Sequence, residues 1–363
     1  MPRADARLRQ KIRTQSAAAV KRAARCGAKA GSGSAAESQR SRRLEGELAK
    51  ARGEGLKERV ADELSFDRDF RAEPGRADEV APGVRRVLAP NASPFTFTGT
   101  CSYIVGRGRV AVIDPGPNDP AHIEALMSAT RGETIAQIVL THTHRDHTAA
   151  VPALKERTGA QTYGEGPHRA ARPLHEGEAV PLDAGGDYDF VPDVRVPDGG
   201  LIEGPDYALE AVATPGHTAN HLAFALKASK ILFSGDHVMA WSTSIVAPPD
   251  GSMGDYLASL EKLKTRPETH YFPGHGPETR EAHELVERYI AHRGAREAAI
   301  LRRLEREDSS VPALVQAIYI GLDPKLRKAA AMTLLAHLEH LVGRGLVTTD
   351  GPPSLTGVYR LAR

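Results

Sequence analysis

Cysteine and tryptophan are scarce in this chain of 363 residues: Cys26, Cys101 and Trp241 are the only residues of these two types, and aromatic residues together make up 5%. Two cysteines cannot build a disulfide framework or a cysteine-rich zinc site, and their rarity favours a reducing compartment. Long apolar runs are missing too. No uninterrupted stretch approaches the ~18 residues of a membrane-spanning helix, and the mean hydropathy is −0.37, so no membrane partner is expected. Net charge is almost absent at +2, yet it is unevenly placed: residues 1–60 carry +10, residues 61–290 carry −12 and residues 291–363 carry +4. Segments of such different sign argue for separate roles. What is present suffices for a sizeable core, with 40% hydrophobic and 26% charged residues, over a length that suggests about two domains.

Residues 1–60 are rich in Ala, Arg, Ser and Gly and nearly free of aromatic and β-branched residues. Such a segment buries too little apolar surface to offset its ordering entropy, so a disordered or helix-prone basic tail is expected. Its first 36 residues hold nine basic groups and one acid, Asp5, with no apolar stretch of the secretory kind. The pattern overlaps that of an organellar transit peptide and equally suits an extension from an upstream start codon. A cytoplasmic protein is expected, or one of the mitochondrial matrix if the tail is a targeting sequence.

From about Val80 the texture is globular. Arg85–Leu88, Ser102–Val105, Arg109–Ile113 and Ala136–Leu140 read as strands, as do Tyr207–Ala213, His221–Leu226 and Lys230–Ser234. Helices are expected at Ala121–Thr130, Asp255–Lys264 and Glu278–His292. Alternation of this kind, without strict repetition, predicts a layered α/β domain whose site lies on loops at strand ends. Further on, Val311, Leu314, Val315 and Ile318 mark one amphipathic helix. Leu334, Leu335, Leu338, Leu341 and Val342 mark a second, introduced by Asp323 as N-cap and Pro324 in its first turn. Leu346–Thr349 and Val358–Leu361, around a turn at Asp350–Pro353, read as a hairpin. Helices followed by a β-hairpin make a winged helix.

The densest chemistry is Thr141-His142-Thr143-His144-Arg145-Asp146-His147, directly after a buried strand. Three imidazoles and a carboxylate within six residues would be costly in a core and purposeless on a surface loop, whereas they converge naturally on divalent metal. Alternation puts His142 and His144 on one side of an extended segment, while Asp146 and His147 turn away to serve a second ion. With four more motifs in order, the sequence resembles the metallo-β-lactamase superfamily, whose first metal motif is His-x-His-x-Asp-His. Asp114, in Val112–Gly116, matches the supporting aspartate. Thr214-Pro215-Gly216-His217, Ser234-Gly235-Asp236 and Pro273-Gly274-His275-Gly276 match the third-histidine, bridging-aspartate and final-histidine motifs.

The resemblance implies an αββα sandwich at residues 61–293 followed by a small winged-helix domain at 294–363. It also implies two divalent metal ions, with His142, His144 and His217 holding the first, Asp146, His147 and His275 the second, and Asp236 bridging. Zinc is the default; manganese and iron also suit imidazole and carboxylate donors. Two ions sharing a water lower its pKa toward neutrality, and Asp146, the catalytic residue of this reading, would ligate one metal and orient the nucleophile. His237 follows Asp236 and by alternation points away from the metals, toward a core or rim role. His221 and His270 match no ligand position, and His168, His175, His283, His292, His337 and His340 read as surface or packing residues.

The superfamily cleaves thioesters, lactones and phosphodiesters, so the fold leaves the substrate open. The C-terminal unit resembles that of β-lactamase-like hydrolases with a winged helix, which include an endoribonuclease acting on single-stranded RNA. That implies a dinuclear hydrolase, with a phosphodiesterase on single-stranded RNA as one reading. A glyoxalase-II-like thioesterase or small-ester hydrolase, its winged helix serving structure or a homodimer contact, is the alternative. A non-enzymatic DNA binder ranks third. Lys325, Arg327, Lys328 and Arg344 are the candidate phosphate contacts, and Trp241–Val246 with Pro248–Gly251 the candidate pocket loop. Cys101 stands where many relatives have Asn.

Overall fold

The computed structural model describes residues 66–175, 178 and 185–363. The basic tail expected at 1–60 lies outside the described residues. Seven strands form one sheet in the order of the chain: β1 (Ala77–Ala81), β2 (Val84–Leu88), β3 (Cys101–Val105), β4 (Arg109–Ile113), β5 (Thr134–Val139), β6 (Gln161–Gly164) and β7 (Val194–Arg195). The first four pair antiparallel and the rest parallel. A second sheet of five runs β12 (His270–Pro273), β11 (Ile231–Gly235), β10 (Leu222–Leu226), β9 (Ala208–Ala213), β8 (Leu201–Glu203).

Strand alternation builds the layers. On β4, Ala111 and Ile113 point between the sheets, where Leu209, Leu222, Phe224, Phe233 and Phe272 meet them. Val110 and Val112 point outward, under Leu126 of α1 (Pro120–Ala129) and Leu154 of α3 (Val151–Thr158). The outer face of the second sheet, Val212, Ala223, Ala225 and Leu232, is covered by Tyr256 and Leu260 of α4 (Met253–Lys264) and Val286 and Tyr289 of α5 (Ala282–Leu304). The result is the αββα sandwich that the sequence implied.

The C-terminal unit is the expected winged helix. α6 (Val311–Ile318) and α7 (Arg327–Gly343) precede the antiparallel pair β14 (Val347–Thr349) and β15 (Val358–Leu361), with Ser309–Ser310 as β13 on the far side of β15. Asp323 caps a short 3₁₀ turn at Pro324–Leu326 rather than α7 itself, its carboxylate accepting from the Lys325 amide. α5 starts at Ala282, later than Glu278, because Thr279 exchanges both main-chain hydrogen bonds with Tyr271 at 2.8 and 3.0 Å. It then runs unbroken across the junction expected at 293/294. Its first half covers the second sheet, and Ile300, Leu301 and Leu304 of its second half are buried.

Among the described residues, no helix is long and apolar enough to cross a membrane.

Candidate metal centre

Each candidate ligand follows the C-terminal end of a strand. His142 and His144 extend from β5, and a single turn, α2 (Arg145–Thr148), presents Asp146 and His147. His217 lies in the loop after β9, Asp236 directly after β11 and His275 after β12. Strands are rigid and their ends need not pair, so they aim side chains into one cleft from distant points in the chain.

All seven residues converge. His144 Nδ1 stands 3.1 Å from His142 Nε2 and 3.0 Å from His217 Nε2. Nitrogens bonded to one tetrahedral ion at about 2.1 Å stand roughly 3.4 Å apart, so this tripod nearly has the spacing a zinc ion imposes. On the other side His275 Nε2 lies 3.2 Å from Asp146 Oδ2 and 3.3 Å from Asp236 Oδ2. His147 Nε2 stands 3.6 Å from both Asp146 Oδ2 and Asp236 Oδ1. Asp236 Oδ2 also reaches within 3.7 Å of His217, so its carboxylate spans the two clusters. Donor atoms within each of the sets His142/His144/His217, His142/His147/Asp236 and Asp146/His147/His275 all lie within 4.8 Å of one another. His147 Nε2 and Asp236 Oδ1 are buried with no hydrogen-bond partner, a costly state that a cation would relieve.

A second layer of contacts fixes which nitrogen each histidine offers. The Thr141 hydroxyl donates to Asp114 Oδ2 at 2.7 Å and therefore accepts from His142 Nδ1 at 3.0 Å. His147 Nδ1 donates to Asp114 Oδ2 at 3.0 Å, His217 Nδ1 to the Ile245 carbonyl at 2.7 Å, and His275 Nδ1 to the Gly99 carbonyl at 3.2 Å. All four thereby turn Nε2 to the cleft, the nitrogen that a metal takes once any proton on it has left. Asp114 also accepts the Thr141 amide at 2.8 Å and adopts φ 49°, a left-handed conformation that Asp tolerates better than most residues.

Protons and cations compete at this centre. Burial lowers His142 far below its ordinary range and brings His144 to about 3, with neighbouring imidazoles adding to the effect. Burial also opposes charge on His147 and His275, but there the carboxylates prevail: Asp146, Asp236 and Asp114 hold His147 well above its usual value, and Asp236 with Asp146 lifts His275 to about 9. In the metal-free protein His275 therefore contributes stability below its ordinary 6.5 that is lost as pH rises through about 9. Metal uptake has the opposite sign, since ions must displace those protons. Titrating the metal-free protein with zinc at pH 7.5 should release about two protons per chain and tighten as pH rises. Calorimetry in buffers of different ionisation enthalpy measures this, and no proton release would contradict it.

Several contributors escaped the sequence reading. His221, next to a motif but matching no ligand position, stacks on His142 with ring centroids 5.2 Å apart. It hydrogen-bonds Thr214 Oγ1 at 2.8 Å, and its Nε2 accepts the Asp236 amide at 3.2 Å, so it holds the bridging residue from behind. His168, read as surface or packing, is buried and hydrogen-bonded to Thr143 Oγ1 at 2.9 Å, between the two first-motif histidines. No local spacing marks either residue, because their partners come from other strands. His237 is fully buried, its ring 4.5 Å from that of Tyr256 and 5.7 Å from that of His221. The loop from Trp241 reaches the site: Ile245 orients His217, and Trp241 lies against Gly276 and stacks on Phe97 at 4.9 Å. Cys101 is fully buried, and burial pushes its thiol up to about 11, which makes it a packing residue rather than a nucleophile. Arg344 faces Glu297 at 3.1 Å instead of a phosphate path.

Comparison with known proteins places this site in a family. A family model described as Metallo-beta-lactamase superfamily matches residues 95–275, and one described as Beta-lactamase associated winged helix domain matches residues 310–352. The Beta-lactamase-like protein 2 homolog of Caenorhabditis elegans is 30% identical over 275 residues, covering 74% of this chain and 88% of that protein. An atrochrysone carboxyl ACP thioesterase of Paecilomyces divaricatus is 29% identical over 268 residues, covering 70% and 77%. The crystal structure of a beta-lactamase domain protein from Burkholderia ambifaria shares the fold, with a TM-score of 0.68 at 21% identity over 84% of this chain and 98% of that one. From its ordered motifs, its sandwich and these matches, the chain belongs to the metallo-β-lactamase superfamily, as a metal-dependent hydrolase with the associated winged helix.

Proposed function

We propose that the protein is a thioesterase acting on acyl thioesters. In this reading His142, His144 and His217 hold one divalent ion, Asp146, His147 and His275 a second, and Asp236 spans them. Two such ions, zinc by default, would supply Lewis acidity there, lowering the pKa of water toward neutrality. Asp146 has the more exposed carboxylate of the pair, 29% against 9% for Asp236, and it orients the attacking water from the open side. Asp114 keeps His147 in register, and through Thr141 also His142.

The observation that carries the choice is the packing of α7. A winged helix that reads nucleic acid lays such a helix in a groove with one face free. Here Met332 to Leu338 are buried without a break, nearly two turns closed on all sides. Ala336 joins the core under the second sheet. With −12 over residues 61–290, this takes the middle of α7 out of reach of a polyanion and leaves the single-stranded RNA reading to the exposed Lys325, Arg327 and Lys328 at its start. The relative named as a carboxyl ACP thioesterase adds support.

The test is turnover of S-acetyl-N-acetylcysteamine and acyl-coenzyme A thioesters by the metal-loaded protein, with thiol release as the signal. A single-stranded RNA and bis(p-nitrophenyl) phosphate are assayed alongside. Thioester kcat/KM at least about 100-fold above that for either phosphodiester is expected, an advantage of about 2.7 kcal/mol in transition-state binding. RNA cleavage at the higher rate would replace the thioesterase reading with the nuclease one.

A further inference from the structure

The loop at residues 165–172, beside the first metal cluster, is anchored at both ends. At the inner end, His168 bonds Thr143 Oγ1 at 2.9 Å, and its ring stands 6.1 Å from that of His144. Its Nε2 lies 3.3 Å from Asp250 Oδ2 in the pocket loop. Asn220 Nδ2 donates to the Gly166 carbonyl at 3.1 Å, and the Ala171 amide donates to the Pro249 carbonyl at 2.7 Å. At the outer end the Arg172 guanidinium lies between two carboxylates. It donates to both oxygens of Glu339 on α7, at 3.1 and 3.2 Å through Nε and 2.6 Å through Nη2. It also grips Glu178 at 2.7 and 2.8 Å. All three side chains are about one-fifth exposed, so the pairing is shielded more than a surface ion pair and its fork geometry is specific.

α7 is itself held firmly. Next to Glu339, His340 bonds Glu297 Oε1 of α5 at 2.7 Å, and a Cβ added at Gly254 on α4 would stand 3.3 Å from the His340 ring. A rigid helix of the accessory domain thus grips a loop whose other end touches the residues around His144.

We propose that the winged helix, through Glu339 and Arg172, braces the 165–172 loop as one wall of the active-site mouth and thereby sets substrate affinity. Arg172 is a positioning residue. The helix that would read nucleic acid in other winged helices here holds a hydrolase loop in place. The hydrogen bonds that Asp114, Ile245 and Gly99 make to His147, His217 and His275 do not run through Arg172 or Glu339, so metal binding is expected to outlast loss of the brace.

The full-length, metal-loaded protein is compared as wild type, Glu339→Ala, Arg172→Glu, and the swapped pair Arg172→Glu/Glu339→Arg. Hydrogen exchange needs no substrate. Amides at 166–172 should exchange at least about 10-fold faster in either single variant while those of β4 and β5 keep their rates, and the swap should slow them again. With S-acetyl-N-acetylcysteamine, KM should rise about 5-fold in Glu339→Ala, with kcat within about 2-fold and metal content unchanged. Unchanged or uniformly faster exchange, or kcat and metal content falling together without a KM effect, would overturn the proposal. Should the wild type not turn over thioesters, the thioesterase reading fails while the exchange result still decides this one.

Discussion

Replacing Asp146 by Asn, or His142 by Ala, is expected to lower kcat/KM by about 1000-fold or more while leaving the far-UV circular dichroism spectrum unchanged. A loss of three decades corresponds to about 4 kcal/mol of transition-state stabilisation, the scale expected when a nucleophile can no longer be generated near neutral pH. Asp146→Asn keeps shape and removes charge. The carboxylate that faces His275 Nε2 at 3.2 Å and His147 Nε2 at 3.6 Å becomes a poor ligand, so the second ion should be lost first. His142 belongs to two of the three donor sets, so His142→Ala should weaken both ions. Metal content by mass spectrometry separates the cases, with about one ion per chain retained in Asp146→Asn and fewer in His142→Ala. Activity within a few-fold of wild type in either variant would remove the assignment.

Gly216→Ala should produce the second large effect, on stability and activity together. Gly216 has φ +142° within the Thr-Pro-Gly-His motif, and an added Cβ would lie 2.3 Å from the Tyr256 Cα and 2.6 Å from its amide nitrogen. Those are backbone atoms of α4, which cannot turn aside as a flexible side chain can. The Ser252 amide, at the N-cap of that helix, donates to the Gly216 carbonyl at 2.9 Å, so any shift carries the helix start with it. A destabilisation of about 3 kcal/mol is expected, from overpacking with backbone strain. His217 is the next residue, and displacing it from His144 by about 1 Å should cost roughly 100-fold in rate. Gly159→Ala is the control. That glycine also has a left-handed φ, +67° at the end of α3, but nothing lies within 4 Å of its added Cβ, so only the conformational cost of about 1 kcal/mol remains. Equal changes in melting temperature for the two variants would show that close approach of α4 is not what the motif glycine serves.

Much of the fold could be read from local pattern. The strands at Arg109–Ile113 and Ile231–Gly235 alternate or run apolar as their two-sided burial demands. The helices over Pro120–Ala129 and Val311–Ile318 carry Pro in the first turn, and Asp119 caps the first of them. Boundaries erred where a partner distant in sequence decided them. Thr279 pairs with Tyr271 and delays the start of α5 from Glu278 to Ala282. The inward burial of α7 was likewise hidden, because Leu334, Leu335, Leu338 and Leu341 mark an apolar helix without saying that its other faces are covered too.

The same division holds at the site. The sequence by itself determined the chemistry available: seven histidine and aspartate donors in ordered motifs, and a neighbouring Asp114, because donor type and short-range spacing are local properties of the chain. Tertiary structure alone decided that His144 stands within 3.1 Å of both His142 and His217, that four imidazoles turn Nε2 to the cleft, and that His221 and His168 pack behind the centre. It also decided that Glu339 reaches Arg172 across 167 residues. Each of these depends on side chains brought together from separate strands and helices, at distances that no local pattern encodes.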